Sequence, residues 1–249
     1  MSIAGYPGIY LYVGVLFDLT RQTIAYISGA AIIILAIVHG WLGFKETADN
    51  ASGASDGLDY LIFIEIEDKT LYLLQDGKCI KSYPISSGMS GLPSPLGCWS
   101  IVEKGDWGEG FGGRWMGLDV PWGKYGIHGT KQEGSVGSAA SHGCIRMYKR
   151  DIRELYDTVG LGTPVIIVNG AFGPFGRGFD DLNPGDRGAD VMAVQLRLKD
   201  LGYFKANVSG IYNDDLKHAV HRFQKDKGLE VKNTITREDW LKMGFREFE

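Results

Sequence analysis

The chain has 249 residues, of which 44% are hydrophobic and 22% are charged, and these values exclude global disorder. Its 26 basic and 30 acidic side chains give a formal charge of −4, so it lacks the basic excess with which general nucleic-acid binders neutralise phosphates. The 36 glycines are about twice the usual share and indicate many tight turns, hence a β-rich part. Three cysteines cannot all pair within one chain, so this is not a disulfide scaffold.

The N-terminal region, residues 1–45, contains a long apolar run. Residues 24–44 include no Asp, Glu, Lys or Arg, and their number matches what a helix needs to cross a bilayer. Arg21 and Lys45 flank the run, which predicts a transmembrane anchor; a buried core helix or a cleaved signal peptide are the alternatives. Whether the shorter run at 9–19 is a second pass stays open. Residues 46–57 are small and polar, as in a flexible linker.

A glycine-rich stretch, residues 58–170, has the pattern of a mostly-β domain with one or two helices. Apolar, β-branched segments separated by turn residues predict strands at 60–66, 70–74, 79–85, 97–102, 115–120, 125–128 and 164–168. Ile152, Leu155, Tyr156 and Val159 recur at helical spacing and predict one helix, which Gly160 ends.

The remaining residues, 177–249, have the pattern of a small three-helix, all-α domain. Two apolar stripes at helical spacing predict the first two helices: Val191, Val194, Leu198 and Leu201, then Leu216, Ala219, Val220 and Phe223. Thr236 and Asp239 have the spacing of a capping box and predict the start of a third helix. A bundle with so small a core is better suited to binding than to catalysis.

Candidate catalytic residues are concentrated between positions 128 and 146. Cys144 supplies a thiol, and His128 and His142 are bases that can take its proton near neutral pH. The backbone amides around Gly143 and Cys144 could hold the oxyanion of a tetrahedral intermediate. From the residues alone, two alternatives stay open: a zinc site formed by the two histidines and the cysteine, and a buried thiol beside structural histidines.

This stretch resembles the L,D-transpeptidase (YkuD-type) family, whose fold is a β-sandwich with one or two helices. The resemblance covers about residues 58–169 and rests on four segments in the family's order: Ser94-Pro-Leu-Gly97, Phe111-Gly-Gly-Arg-Trp-Met-Gly-Leu118, Tyr125-Gly-Ile-His-Gly-Thr130 and Ser141-His-Gly-Cys-Ile-Arg-Met147. The last of these is highly specific, and it favours the cysteine nucleophile over both alternatives.

The resemblance implies a role for each site residue. Cys144 would attack the carbonyl of the third stem residue of a peptidoglycan tetrapeptide, with His128 as base, oriented by the carbonyl of Gly129. His142 would support the site, as would Gly143 beside the nucleophile. Ser141 and Arg146 would contact substrate; Arg146 stands where many members have Asn, and an ion pair with the following helix is its alternative role. The resemblance implies no metal and no organic cofactor.

The implied function is a transpeptidase that releases D-Ala and links two stem peptides, donor and acceptor, through their third residues. An L,D-carboxypeptidase, in which water resolves the same thioester, and a non-catalytic wall-binding anchor are the alternatives. Residues 180–243 resemble a peptidoglycan-binding domain, which implies cell-wall glycan as a partner. We therefore expect a single-pass membrane protein with residues 46–249 on the wall side. Cys79 and Cys98 fall outside the motif and are expected to be unpaired thiols, packed as small apolar side chains; a disulfide between them is the alternative.

Overall fold

The computed structural model describes residues 60–170 and 178–246, so the predicted anchor and linker lie outside the described residues. The strands of the described part are β1 (Tyr60–Glu65), β2 (Thr70–Gln75), β3 (Lys78–Pro84), β4 (Ser87–Gly88), β5 (Gly97–Gly105), β6 (Trp115–Leu118), β7 (Tyr125–Gly129), β8 (Ala139–Ser141), β9 (Ile145–Met147) and β10 (Pro164–Val168). Its α-helices are α1 (Lys149–Thr158), α2 (Ala189–Asp200), α3 (Asp214–Asp226) and α4 (Arg237–Met243). None of these helices has the length and apolarity to cross a bilayer.

Eight of the strands form one mixed sheet in the order β3-β2-β1-β10-β5-β6-β7-β9, and β4 pairs with β8 beside it. The long strand β5 joins two halves: its first residues pair with β10, and from Ile101 onward it pairs with β6. A register shift between Ile101 and Glu103 marks the change of partner. Both halves contribute side chains to one core, so the mostly-β prediction is confirmed.

The strands form where the sequence alternates apolar residues. On β1, Ile62 and Ile64 are fully buried and face Leu73 and Leu71 of the antiparallel strand β2. Burying each of these side chains contributes about 1.5–3 kcal/mol. Helix α1 has Ile152 and Leu155 in the same core, as its spacing predicts.

The C-terminal helices surround a second core, whose members include Leu198, Phe223 and Trp240. The predicted stripes are buried, except that Leu201 follows the end of α2 and is exposed. The capping box of Thr236 and Asp239 is present at the start of α4, so the three-helix prediction is confirmed.

The cysteines outside the motif differ from expectation in one respect. Cys79 and Cys98 are both free thiols. The prediction that they pack inside is wrong for Cys79, which is exposed, whereas burial raises the pKa of the Cys98 thiol to about 11. Cys79 lies on β3, an edge strand of the sheet that is exposed at most positions. Cys98 lies between buried Gly97 and buried Trp99, at the outward-facing position that the alternation of a strand dictates.

Candidate active site

Strand pairing brings the motif residues together. On β7, His128 lies between Trp115 of the antiparallel neighbour β6 and Arg146 of the parallel neighbour β9. Paired residues of adjacent strands face the same side of a sheet, so these three side chains form a row. Cys144 lies just before β9, where it meets the backbone of Gly126 on β7 and the charge of Arg146, whereas Ile145 faces the core.

His128 is buried and held in one tautomer. Its Nδ1 lies 2.6 Å from the carbonyl oxygen of Gly129. A carbonyl can only accept a hydrogen bond, so Nδ1 carries the proton and Nε2 keeps its lone pair. The imidazole packs against the rings of Phe111 and Trp115, with centroids 4.8 and 5.8 Å away.

The surroundings of His128 keep it neutral. Burial lowers its pKa to about 4; the hydrogen bond to Gly129 acts in the opposite direction, and the positive charge of Arg146 lowers the pKa further. Near pH 7 the imidazole is therefore unprotonated and available as a base.

Cys144 is half-buried just before β9. Burial raises the pKa of its thiol above the ordinary value, while a backbone hydrogen bond with Gly126 and the charge of Arg146 lower it. The thiol of Cys144 and the imidazole of His128 therefore both favour their neutral forms. The arrangement suits transfer of the thiol proton to imidazole during attack, rather than a standing thiolate–imidazolium pair.

Ser141 shapes the loop that contains Cys144. Its fully buried hydroxyl donates to the carbonyl of Cys144 at 2.6 Å and accepts from the amide of Gly143 at 3.0 Å. The Gly143 amide, an expected oxyanion donor, is thus occupied in this structure, and that role would require this bond to open. Gly143 has φ +111°, and a Cβ there would lie 2.6 Å from the Tyr125 ring, so only glycine fits.

Arg146 and His142 differ in exposure. The Arg146 side chain is half-buried and donates from Nη1 to the carbonyl of Ala140 at 3.1 Å. Among the described residues no ion pair involves Arg146, so the alternative pairing with α1 is not formed there. A half-buried guanidinium with donors to spare can bind a carboxylate. His142 is exposed, next to the buried loop.

A pair of glycines brings Phe111 to the site. A Cβ on Gly112, whose φ is +64°, would lie 2.7 Å from the Cα of Gly129. A Cβ on Gly129 would in turn lie 2.9 Å from Ile152 and 3.0 Å from Gly112. This backbone-on-backbone contact lets the 108–113 loop lie directly on β7, where Phe111 covers the imidazole.

Several contributors to the site lie in the segments that carry the family resemblance, but the sequence assigns them no role there. Gly126, Phe111, Trp115 and Tyr125 touch the motif residues, but only the β6–β7–β9 register and the close packing of the 108–113 loop bring them there. Of the tryptophans near the motif, Trp99, Trp115 and Trp122 are buried, and half-buried Trp107 stacks on Trp115 at 4.3 Å. Within the described ranges no group of three His, Cys, Asp or Glu side chains could hold a metal ion.

The C-terminal helical module, residues 178–246, contains an open groove of about 640 Å³. It is lined by Gly202, Tyr203, Lys205, Arg222 and Asp226. Arg222 donates to the carbonyl of Tyr203 at 2.6 Å, and the Tyr203 hydroxyl donates to Asp226. The groove thus combines an aromatic ring with charges of both signs.

Known proteins resemble the chain in two separate regions. A family model for the L,D-transpeptidase catalytic domain (YkuD) matches residues 59–167, and a model for a peptidoglycan-binding domain matches residues 187–232. YkuD of Bacillus licheniformis, named as an L,D-transpeptidase, is 39% identical over 114 residues, which are 45% of this chain and 68% of that protein. YqjB of Bacillus subtilis, named likewise, is 31% identical over 127 residues, covering 45% of this chain and 72% of its own length.

Solved structures give a more distant likeness. An L,D-transpeptidase from Mycobacterium smegmatis has 25% sequence identity and a TM-score of 0.39, over 45% of this chain and 59% of that one. The chain thus spans about three fifths of that structure and about two thirds of YkuD of Bacillus licheniformis. On the identity and coverage of the two Bacillus relatives, the chain belongs to the YkuD family of L,D-transpeptidases.

Proposed function

We propose that the protein is a peptidoglycan L,D-transpeptidase that links two stem peptides through their third residues. The observation that carries the proposal is the orientation of His128, whose Nδ1–H is bound to Gly129 and whose Nε2 keeps its lone pair, beside the strand β9 that directly follows Cys144. Family membership supplies the reaction class, and this geometry supports the assignment of base and nucleophile.

The reaction takes place in two steps. The thiol of Cys144 gives its proton to Nε2 of His128 while sulfur bonds to the carbonyl carbon of the third stem residue. The bond to the terminal D-Ala breaks, and its amine leaves with the proton from His128. The side-chain amine of a second stem then attacks the thioester and loses its proton to His128. The new amide forms, and the thiol leaves protonated.

Arg146 supports recognition of a donor that ends in a carboxylate. Arg146→Gln should raise KM several-fold for a tetrapeptide with a free C-terminal carboxylate, and much less for the same peptide with a C-terminal amide. Kinetics with both peptides separate loss of carboxylate binding from loss of the positive charge near Cys144. The loss of charge should slow the reaction of both peptides equally, whereas the loss of carboxylate binding should affect only the peptide with the free carboxylate. Arg150→Gln is the control, since Arg150 is exposed and paired with Asp151. Equal losses on both peptides would contradict carboxylate binding.

Hydrolysis of the same acyl-enzyme, giving an L,D-carboxypeptidase, is the second candidate function. Mass spectrometry after incubation with tetrapeptide stems distinguishes the products: a cross-linked dimer supports the transpeptidase, and free tripeptide supports the hydrolase. An unchanged substrate supports a non-catalytic wall anchor. Cys144→Ser should abolish either product, because a hydroxyl is far less acidic than a thiol.

The C-terminal module is proposed to hold the enzyme on the wall. The groove beside Tyr203, with Lys205 and Arg222 exposed at its edge, is the surface we assign to stem peptides, which carry both amines and carboxylates. Lys205→Ala with Arg222→Ala should reduce sedimentation with isolated sacculi. The control is Lys242→Ala on α4, outside the groove. Unchanged sedimentation of the double variant would place the binding surface elsewhere.

The localisation we propose is the membrane, with residues 46–249 on the wall side. The support is the uncharged run at 24–44, which matches the thickness of a bilayer. The full chain should resist extraction by salt and by alkaline carbonate, while a chain beginning near residue 49 should be released. Extraction of the full chain by either wash would contradict the anchor.

A further inference from the structure

The helical module touches the catalytic domain at a close joint between a glycine and a tryptophan. A Cβ on Gly210 would lie 2.2 and 2.8 Å from two carbons of the Trp122 ring, which is 7% exposed. The same indole packs edge-on against Trp99, with centroids 5.1 Å apart. From the first turn of α2, Ala189 and Met192 also pack into the catalytic domain's core.

The module holds Gly210 rigidly toward that ring. Gln195, fully buried on α2, accepts from the amides of Ser209 and Gly210 at 2.9 and 2.8 Å. Its side-chain amide donates to the carbonyl of Ile211 at 3.0 Å. The carbonyl of Gly210 accepts from the amide of Gly188 at 2.9 Å. A buried amide whose donors and acceptors are used in this way fixes one loop conformation.

The joint lies on the segment that also borders the nucleophile. Trp122 is in the turn between β6 and β7, and Tyr125 follows three residues later. The ring of Tyr125 is so close to Gly143, the neighbour of Cys144, that no Cβ fits between them. The module is therefore seated on the same connection that supports the catalytic loop.

We propose that this module is not a freely tethered binding domain but is docked at a fixed angle through the joint of Gly210 and Trp122. Docking would present wall-bound stem peptides to Cys144 in one register. The presentation of stem peptides to Cys144 rests on the proposed function, whereas the docking of the module depends only on the contacts of the joint.

The test compares two glycines of the module with similar backbones. Gly210 has φ +66° and Gly228 has φ +69°, but a Cβ on Gly228 meets nothing within 4 Å. Gly210→Ala and Gly228→Ala in the full chain therefore share the backbone strain, and only the first drives a methyl group into Trp122. A third variant, Gly210→Ala combined with Trp122→Ala, removes the ring and should relieve the clash that Gly210→Ala creates, so that it behaves like Trp122→Ala alone.

Hydrogen exchange and two activities are measured on each variant. We expect amide exchange in residues 119–125 to be about tenfold faster in Gly210→Ala than in Gly228→Ala. Cross-linking in isolated sacculi should fall several-fold. The rate at which a carbapenem, whose strained carbonyl reacts with thiols, forms an adduct on Cys144 should stay unchanged, and so should sedimentation with sacculi. In the Trp122→Ala background, Gly210→Ala should cause little further change in the amide exchange of residues 119–125 or in cross-linking.

Other results would overturn the inference. Equal exchange in the two glycine variants, or additive effects in the Trp122→Ala background, would show that the joint does not hold the domains. Loss of sedimentation in Gly210→Ala would mean a misfolded module instead of an undocked one. Faster exchange with full cross-linking would overturn the role in presenting substrate. A wild-type protein that forms neither adduct nor cross-link would refute the proposed function, and the exchange comparison would still decide the joint.

Discussion

At the scale of single residues, the proposed mechanism depends on keeping His128 neutral. Its ring is buried under Phe111 and Trp115, and burial lowers its pKa to about 4. A base must be unprotonated to act, so its activity is lost as the pH falls through that value. On the alkaline side the thiol of Cys144, whose pKa is raised, stays protonated beyond neutral pH. Between these limits neither group changes its charge.

We therefore expect the rate at which a carbapenem acylates Cys144 to be nearly independent of pH from about 5 to 8. A carbapenem presents a strained, activated carbonyl that a thiol with a positioned base can open. The rate should fall as the pH passes through about 4, the pKa of His128. Intact-mass measurement of adduct formation gives the profile. A fall near pH 6.5 would mean a solvated imidazole and would contradict the buried base.

Replacing the histidines separates their roles. His128→Ala should slow acylation about 10²–10⁴-fold and replace the plateau by a rate that rises with pH, since only the thiolate then reacts. His142→Ala should cost much less, because that side chain is exposed. Adduct rates for both variants at several pH values test this. A larger loss in His142→Ala would assign the base to His142.

At the scale of elements, the 108–113 loop shields the proposed base, His128, from water. Gly112→Ala would place a methyl group 2.7 Å from the Cα of Gly129 and push the loop away from β7. Phe111 would then no longer cover His128, and the pKa of the imidazole should rise toward the ordinary 6.5. The pH at which the acylation rate falls on the acid side should therefore move up by about two units.

Gly113→Ala is the matched control for the loop. Its φ of +77° imposes similar backbone strain, but its Cβ would lie 3.9 Å from the nearest atom outside its neighbours. In this variant the pH at which the acylation rate falls on the acid side should therefore stay the same as in the unaltered chain. An equal shift in both variants would show that strain, rather than the contact of Gly112 with Gly129, controls the pKa.

The elements that sequence reasoning predicted and those it missed differ in a physical way. Strands such as β1, β2 and β10 have enough apolar residues to show their pattern, and they were predicted within one residue at either end. The short strands β4 and β8 are too brief to carry a pattern and exist because Ser87 pairs with Ala139, far along the chain. The motif predicts Cys144 and His128 as the catalytic pair, and this stays a prediction. The cover on His128 and the occupied amide of Gly143 depend on long-range packing and could not be predicted.

At the scale of the whole molecule, the described residues contain two cores, which meet at the joint of Gly210 and Trp122. The catalytic part has its own cluster around Ile62 and Ile127, and the module has another around Leu198 and Phe223. Apart from Ala189 and Met192, every member of the catalytic core lies before residue 170. Because each has its own hydrophobic core, the catalytic domain can fold without the C-terminal module, although the surface between them would then be exposed.

A chain ending at residue 170 should therefore keep its chemistry and lose stability. Removing the module uncovers Trp122, which is 7% exposed in the full chain, and we expect a loss of about 1–3 kcal/mol in the free energy of unfolding. The rate of adduct formation should stay within about threefold, because the contacts of His128 and Cys144 all lie before residue 170. Denaturant unfolding and adduct rates on the truncated chain measure both.

Thr236→Ala in the full chain is the control for that truncation. It removes the capping box of α4 and weakens the module by about 1 kcal/mol without touching Trp122. It should therefore leave the unfolding of the catalytic part unchanged. If the truncated chain unfolds cooperatively yet forms no adduct, the module is part of the catalytic fold, since its loss would then disable a base and a nucleophile that it does not contact directly.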